Sequence, residues 1–245
     1  MTAASKTPSI RYGLSDEAWG SYDQRLRDAI RRNGFKRVIE IGGGANPSFP
    51  SEEVAALGLE YTLLDISAVE LAKAPAGYHT LCLDIAAPHP ELEQDRYDFA
   101  FSRMLAEHVR DGEQLHRNIA RLLRPGGQAM HFFPTMWAPP FVANRLLPER
   151  AADKLLSLLT PSRDRFRQAK FPAYYDWCRG PSSRQIRRFE SLGYAVQAYD
   201  GYFGHVQYYQ HVPILRDLHL RWSRYLAAHP APSLTSFAVL HLEKG

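Results

Sequence analysis

The sequence predicts an α/β domain organised around a largely parallel sheet, and three observations carry this reading. Short apolar runs recur through the first half with helix-length stretches between them, the pattern of strands buried on both faces by crossover helices. The first of these runs ends in Gly42-Gly43-Gly44, and the next two end in Asp65 and Asp84. In chain order, a helix is expected from the cap Ser15, with Asp16 and Glu17 in its first turn, to the stop Asn33-Gly34. Arg37 to Ile41 reads as the first buried strand, followed by strands at Tyr61 to Leu64, Tyr78 to Leu83, Tyr97 to Phe101 and Gln128 to Phe133. Pro148 and Pro181 are each placed to open a helix, since proline at the first helical position loses no needed hydrogen bond. Tyr194 to Tyr199 and Thr235 to Leu242 read as the last two strands, with a helix around Ile214 to Ala228 between them. The stretches at 134–180 and 200–233 exceed what a sheet needs. Together with residues 1–30 they are expected to form a small cap on one domain spanning 1–245.

With 245 residues, 45% hydrophobic and 23% charged, the chain is long enough for one large domain or a domain with a cap. That composition excludes a disordered tail and a disulfide-stapled mini-protein. No run approaches the ~18 apolar residues of a spanning helix, and the first residues lack the apolar core of a signal peptide, so a soluble, cytoplasmic protein without a membrane partner is expected. The net charge is +4, yet the basic residues are scattered. The densest cluster, Arg163 to Lys170, reads as a solvated helix face, and no nucleic-acid partner is expected. Cys82 and Cys178 are read as buried free thiols, because two cysteines make neither a disulfide framework nor a zinc site. Apolar and aromatic exposure on the cap would permit a homodimer.

The glycine turn after the first strand suits a place where the backbone bends sharply and a ligand approaches closely. Asp65 follows Gly42 by 23 positions. That separation puts a carboxylate at the neighbouring strand tip, where it can accept both hydroxyls of a ribose. Asp84, ending the third strand, could accept from an adenine amino group. At this point the chain resembles the class I S-adenosylmethionine-dependent methyltransferases of the small-molecule type. The resemblance rests on VIEIGGGANP (38–47), YTLLD (61–65), LCLDI (81–85), RYDFAFSRMLAEHV (96–109) and RLLRPGGQAMHFF (121–133), in the family's order. It implies a Rossmann-like, doubly wound, seven-stranded sheet with the last strand antiparallel, and S-adenosylmethionine as co-substrate. Position by position, it implies that Glu40, Gly42, Gly43 and Gly44 line the methionine part, Asp65 and Ile66 the ribose, and Asp84 and Ile85 the adenine. Ser102, with Arg103 or Met104, would close the floor. One departure is Asn46-Pro47, where the family's turn carries its third glycine; asparagine tolerates positive φ and proline can start a helix. No metal is expected, since no H-x-H or paired-aspartate spacing occurs.

Between Phe166 and Tyr225 fourteen of sixty residues are aromatic. Most should be core. A subset including Tyr175 and Trp177, with Tyr22 from the first helix, could cage a sulfonium by cation–π attraction and keep the site dry. Three histidines, His108, His131 and His205, are candidate bases for an acceptor proton. The leading expectation is in-line methyl transfer to a small-molecule acceptor. An alternative is self-cyclisation of S-adenosylmethionine, releasing methylthioadenosine and azetidine-2-carboxylate, with Tyr175 or Tyr22 accepting the amine proton and Arg103 holding the carboxylate. A third is a non-catalytic S-adenosylmethionine-binding subunit.

Overall fold

A computed structural model describes residues 7–89, 91–136, 172–206 and 211–245. Each apolar run becomes a strand of one sheet: β2 (Arg37–Ile41), β3 (Glu60–Asp65), β4 (His79–Cys82), β5 (Tyr97–Arg103), β6 (Leu123–Pro134), β7 (Tyr194–Phe203) and β8 (Phe237–Lys244). The sheet has eight strands, not the expected seven, because Tyr12–Leu14 forms β1 and pairs parallel with Gly201 to Phe203 of β7. Three residues around Gly13 carry no alternation, so nothing in their pattern announces a strand. The strand order is β1-β7-β8-β6-β5-β2-β3-β4. Strand β8 is antiparallel to both β6 and β7, and every other neighbouring pair is parallel. The order reverses between β2 and β5, which places a crevice outside the carboxyl ends of those two strands.

Helix α1 (Ser15–Asn33) buries Ala18, Tyr22, Leu26, Ala29 and Ile30, a stripe at three- and four-residue spacing. It therefore covers a face of the sheet itself, although residues 1–30 were expected to form part of a cap. Ser15 is the first helical residue; the flanking position is Leu14, whose amide donates to Glu17 at 3.1 Å. Gly34 ends the helix in the left-handed conformation. Between the strands lie α2 (Ser51–Leu57), α3 (Ala68–Leu71) and α4 (Gly112–Leu122). In the second half α5 (Ser183–Glu190) is capped by Ser182, one residue after the proline expected to open it. Helix α6 (Pro213–Ala228) lies where the sequence placed it. Strand β7 continues to Phe203, so the first residues assigned to the second insertion belong to the sheet. The helix expected at Pro148, the Arg163 to Lys170 cluster, Tyr208, Tyr209 and most of the 134–180 insertion lie outside the described residues.

The core is the strand interior: Val38, Ile39, Leu63, Phe99, Ala100, Phe101, Ala129, Phe132 and Leu240 are solvent-inaccessible. Of the two thiols expected to be buried, Cys178 is, but Cys82 is exposed. Phe35 stacks on Phe99 at 5.6 Å between ring centres, which adds to the burial of both rings. Asp98 ties the strand starts together. One carboxylate oxygen accepts the amides of Lys36 (2.8 Å) and Arg37 (2.9 Å), and the other accepts Nε of Arg124 (2.7 Å). Burial would raise its pKa, but these hydrogen bonds outweigh it and hold the carboxyl down at about 2.

Candidate functional site

The tips of β2, β3 and β5 meet at the crevice. Strand β2 runs into Gly42 (φ 79°), Gly43 and Gly44 (φ 41°), and two of these conformations are ones that side-chain-bearing residues rarely adopt. The amide of Gly42 donates to the Leu64 carbonyl at 2.7 Å, which fixes the turn against the end of β3. A Cβ on Gly43 would stand 2.8 Å from the Leu63 side chain and 2.9 Å from Glu40. One on Gly44 would lie 3.1 Å from Oδ2 of Asp65. The turn is thus a bare-backbone cradle facing a carboxylate. Oδ1 of Asp65 accepts the Ser67 amide at 2.8 Å, while Oδ2 has no hydrogen bond among the described residues. Beside it Ile66 holds its apolar side chain 63% exposed, a costly arrangement unless something flat covers it. An acceptor oxygen, an open backbone loop and an exposed apolar side chain fit a nucleoside with an anionic or zwitterionic tail.

Glu40 lies buried against Gly43 of this cradle. Its carboxylate accepts Oγ of Ser48 (2.5 Å), the Ser48 amide (3.0 Å) and the hydroxyl of Tyr61 (2.5 Å). Burial raises its pKa and the Ser48 and Tyr61 hydrogen bonds oppose that. Glu40 therefore ties the loop after β2 to β3 through Ser48 and Tyr61. Asp84 is exposed, with Oδ1 accepting the Ala86 amide at 2.9 Å. Ile85 is buried, and its carbonyl accepts Nδ2 of Asn118 at 2.7 Å. Asn118, which also donates to the Ala87 carbonyl at 2.7 Å, pins the 84–87 loop to α4. Sequence reasoning passed over it; the available signal was an amide on the apolar stripe of α4, between Leu115 and Ile119.

At the tip of β5, Ser102 and Arg103 occupy the floor, but their side chains point elsewhere. Ser102 Oγ is hydrogen-bonded to Nδ1 of His131 at 2.9 Å inside the sheet layer. The guanidinium of Arg103 is paired with Asp23 and lies 5.4 Å over the Tyr22 ring, so it is not an unengaged clamp. Burial holds His131 down at about 3, so it is a neutral core imidazole and not the base expected for an acceptor proton. His205 is held down to the same value by burial and by the nearby His219.

The aromatic residues do not converge as expected. Phe132 of β6 packs on Trp19 and Tyr22 of α1, while its neighbour His131 meets His116 of α4. Successive strand residues point to opposite faces, so α1 and α4 cover opposite faces of the sheet. Trp177 stacks on His116 at 5.9 Å and meets Phe189 of α5 edge-on at 5.4 Å. Tyr22 and Trp177 are therefore separated by the sheet and cannot close one cage. The Tyr22 hydroxyl is spent inside: it donates towards the carbonyls of Ser102 (2.8 Å) and Met130 (2.9 Å).

What the structure does bring to the β5 tip is the segment 172–178. The Glu107 carbonyl accepts the amides of Tyr174 (2.7 Å) and Tyr175 (3.0 Å), and His108 Nδ1 donates to the Pro172 carbonyl at 2.9 Å. That bond places the proton on Nδ1 and the lone pair on Nε2. Met104, Tyr175 and Trp177 have positive φ of 52°, 53° and 59°, backbone strain concentrated in this seam. Glu107 itself is buried, its Oε2 unpartnered, and burial pushes its pKa up to about 8. No group of three or more metal-ligating side chains occurs among the described residues, and none of their helices is long and apolar enough to cross a membrane.

Fold and crevice define a doubly wound α/β domain with a glycine turn and a facing carboxylate at its switch point. The sequence profile of the methyltransferase domain matches residues 18–211, and the chain belongs to that family. An uncharacterised methyltransferase of Mycobacterium sp. (strain JLS) is 30% identical over 131 residues, 49% of this chain and 50% of the relative, so the chain spans about half the length of the curated relatives it matches. Among solved structures, an S-adenosylmethionine-dependent methyltransferase from Mesorhizobium loti superposes with a TM-score of 0.52 at 17% identity, covering 85% of this chain and 90% of the other. Geranyl diphosphate C-methyltransferase from Streptomyces coelicolor A3(2) gives 0.57 at 10% identity, covering 94% and 80%. At these identities the likeness is one of fold.

Proposed function

We propose that the protein is an S-adenosylmethionine-dependent methyltransferase acting on a small-molecule acceptor. The observation that carries this is the cradle: Asp65 Oδ2 without a partner, facing Gly44, with Ile66 exposed beside it. Asp65 would hold the ribose, Ile66 and the 84–87 loop the adenine, and the backbone of Gly42 to Gly44 the methionine part. S-adenosylmethionine supplies an electrophilic methyl group when bound. The chain's share of the work is then positioning and exclusion of water, since bringing an acceptor into line is worth several kcal/mol, of the order of 7 to 11 in well-oriented cases. His108 is the acceptor-side base best supported by geometry, because its Nδ1–H is fixed by Pro172 and its Nε2 is thereby the basic nitrogen.

Self-cyclisation is not favoured: Tyr22 is committed to backbone carbonyls and Arg103 to Asp23. The test is incubation of pure protein with methyl-labelled S-adenosylmethionine, alone and with a panel of small nucleophiles, with products followed by mass spectrometry. Label appearing in a nucleophile together with S-adenosylhomocysteine is the expected result. Methylthioadenosine formed by the protein alone, above a heat-killed control, would overturn it.

A further inference from the structure

We propose that a cleft beside the start of α5 binds a phosphoryl group, and that this group belongs to the methyl acceptor; the second clause rests on the methyl-transfer reading, the first does not. The cleft encloses about 560 Å³ between Arg179, Ser182, Arg184, Gln185, Arg188 and Ser233. That is a volume within the small-molecule range. It is walled by a tight backbone approach: a Cβ on Gly180 would meet the Pro232 carbonyl oxygen, leaving no room for any other residue.

Among the described residues three guanidiniums line the cleft and no carboxylate does. Arg25, Arg27 and Arg124, by contrast, are paired with Asp200, Glu53 and Asp98. Arg184 and Arg188 form no ion pair among the described residues. Among the described residues Arg188 meets neutral partners, the Gln185 side chain at 3.4 Å and the Trp177 ring at 5.3 Å. Trp177, expected in a sulfonium cage, instead lies under the Arg188 guanidinium. Two unneutralised guanidiniums facing a concave space concentrate anions there, and their planar forks match phosphoryl oxygens two at a time. The Ser183 and Arg184 amides in the first turn of α5 have no helical acceptor and add to the same field. A site with a surplus of two positive charges is matched by a phosphate monoester or diphosphate better than by a single carboxylate.

Position joins the cleft to the crevice. Helix α5 leads into β7, which runs in the same sense as β6 through their shared antiparallel neighbour β8, so the helix begins on the side where the strand tips carry the glycine turn. Arg179 donates to the carbonyls of Tyr175 (2.6 Å) and Cys178 (3.0 Å), and Tyr175 is bonded to Glu107 just beyond β5. The same strained segment thus borders both sites.

The test is calorimetric titration of the full chain with inorganic pyrophosphate, inorganic phosphate and malonate at constant ionic strength, repeated on Arg184→Gln and Arg188→Gln. Each protein is also titrated with S-adenosylhomocysteine. Pyrophosphate should saturate one site and bind at least about tenfold more weakly to each variant, the loss expected for one charge-assisted pair. S-adenosylhomocysteine affinity should be the same in all three proteins, which also shows that the variants are folded. No saturation by either phosphate anion, undiminished binding in both variants, or malonate binding as tightly as pyrophosphate would each overturn the assignment. A wild-type protein that binds pyrophosphate but not S-adenosylhomocysteine would retain the anion site and refute the methyltransferase reading. In the acceptor screen, phosphorylated nucleophiles should be methylated in preference to their dephosphorylated counterparts, and Arg184→Gln should erase that preference.

Discussion

Replacing Asp65 with asparagine tests the cradle with little disturbance to the fold. The side chain keeps Oδ1, which accepts the Ser67 amide at 2.8 Å and closes the turn after β3. The other oxygen, now turned towards Gly44 without a partner, becomes an amide group that donates and cannot accept, and the negative charge is lost. A ribose offering two hydroxyl donors forfeits at least one charge-assisted hydrogen bond, worth about 1.5 to 3 kcal/mol. With about 1.4 kcal/mol per decade, S-adenosylhomocysteine should bind roughly ten- to a hundredfold more weakly, read by isothermal titration calorimetry. The melting temperature should stay within about 2 °C of wild type, because the surviving bond is the one the fold uses. Affinity within about threefold of wild type would refute the site, since it would mean that the unpartnered oxygen meets no ligand.

Two other expectations concern the frame around the crevice. Asp98 has its carboxyl pKa lowered from 3.8 to about 2. It therefore stabilises the fold above pH 4 and loses that contribution as the pH falls from about 4 towards 2; the shift corresponds to roughly 2 kcal/mol, and half of that after solvent screening. Denaturant titrations of Asp98→Asn should show a loss of about 1 to 2 kcal/mol at pH 7 that vanishes near pH 2, and a pH-independent difference would contradict the assignment. Tyr22→Phe should cost about 1 to 2 kcal/mol of stability by stranding two carbonyls, while turnover per folded molecule is unchanged; a collapse in turnover without loss of stability would restore Tyr22 as a catalytic residue.

Most of the sheet was legible because its strands are apolar runs ended by glycine or aspartate, a pattern the backbone must obey wherever it is buried on both faces. Strand β1 was not, because its three residues owe their conformation to hydrogen bonds with β7, nearly two hundred positions away. The turn Gly42 to Gly44 and Asp65 could be placed because their roles follow from backbone geometry and strand spacing. Side-chain partners could not be placed so. The sequence contains nothing to say that Glu40 would be captured by Ser48 and Tyr61, or Arg103 by Asp23, since those pairings depend on how loops fold back. The aromatic cage failed for a related reason: density along the chain is blind to which face of a sheet each ring covers. Tyr22 packs on Phe132 of β6, whereas Trp177 stacks on His116, which meets His131 of β6 from the opposite side.

The pairing of β1 with β7, and of β8 between β6 and β7, has a consequence for how the chain acquires its structure. Residues 12–14 emerge well before their partners, residues 201–203, and β6 keeps an open edge until β8 is made. Closing such distant contacts is slow, and an unpaired apolar strand edge meanwhile is a template for association. The half of the molecule that holds the cradle, from β2 to β6, pairs among near neighbours in sequence and can order early. The side fastened by β7, β8 and α1 is then the last part to lock and the first to come loose.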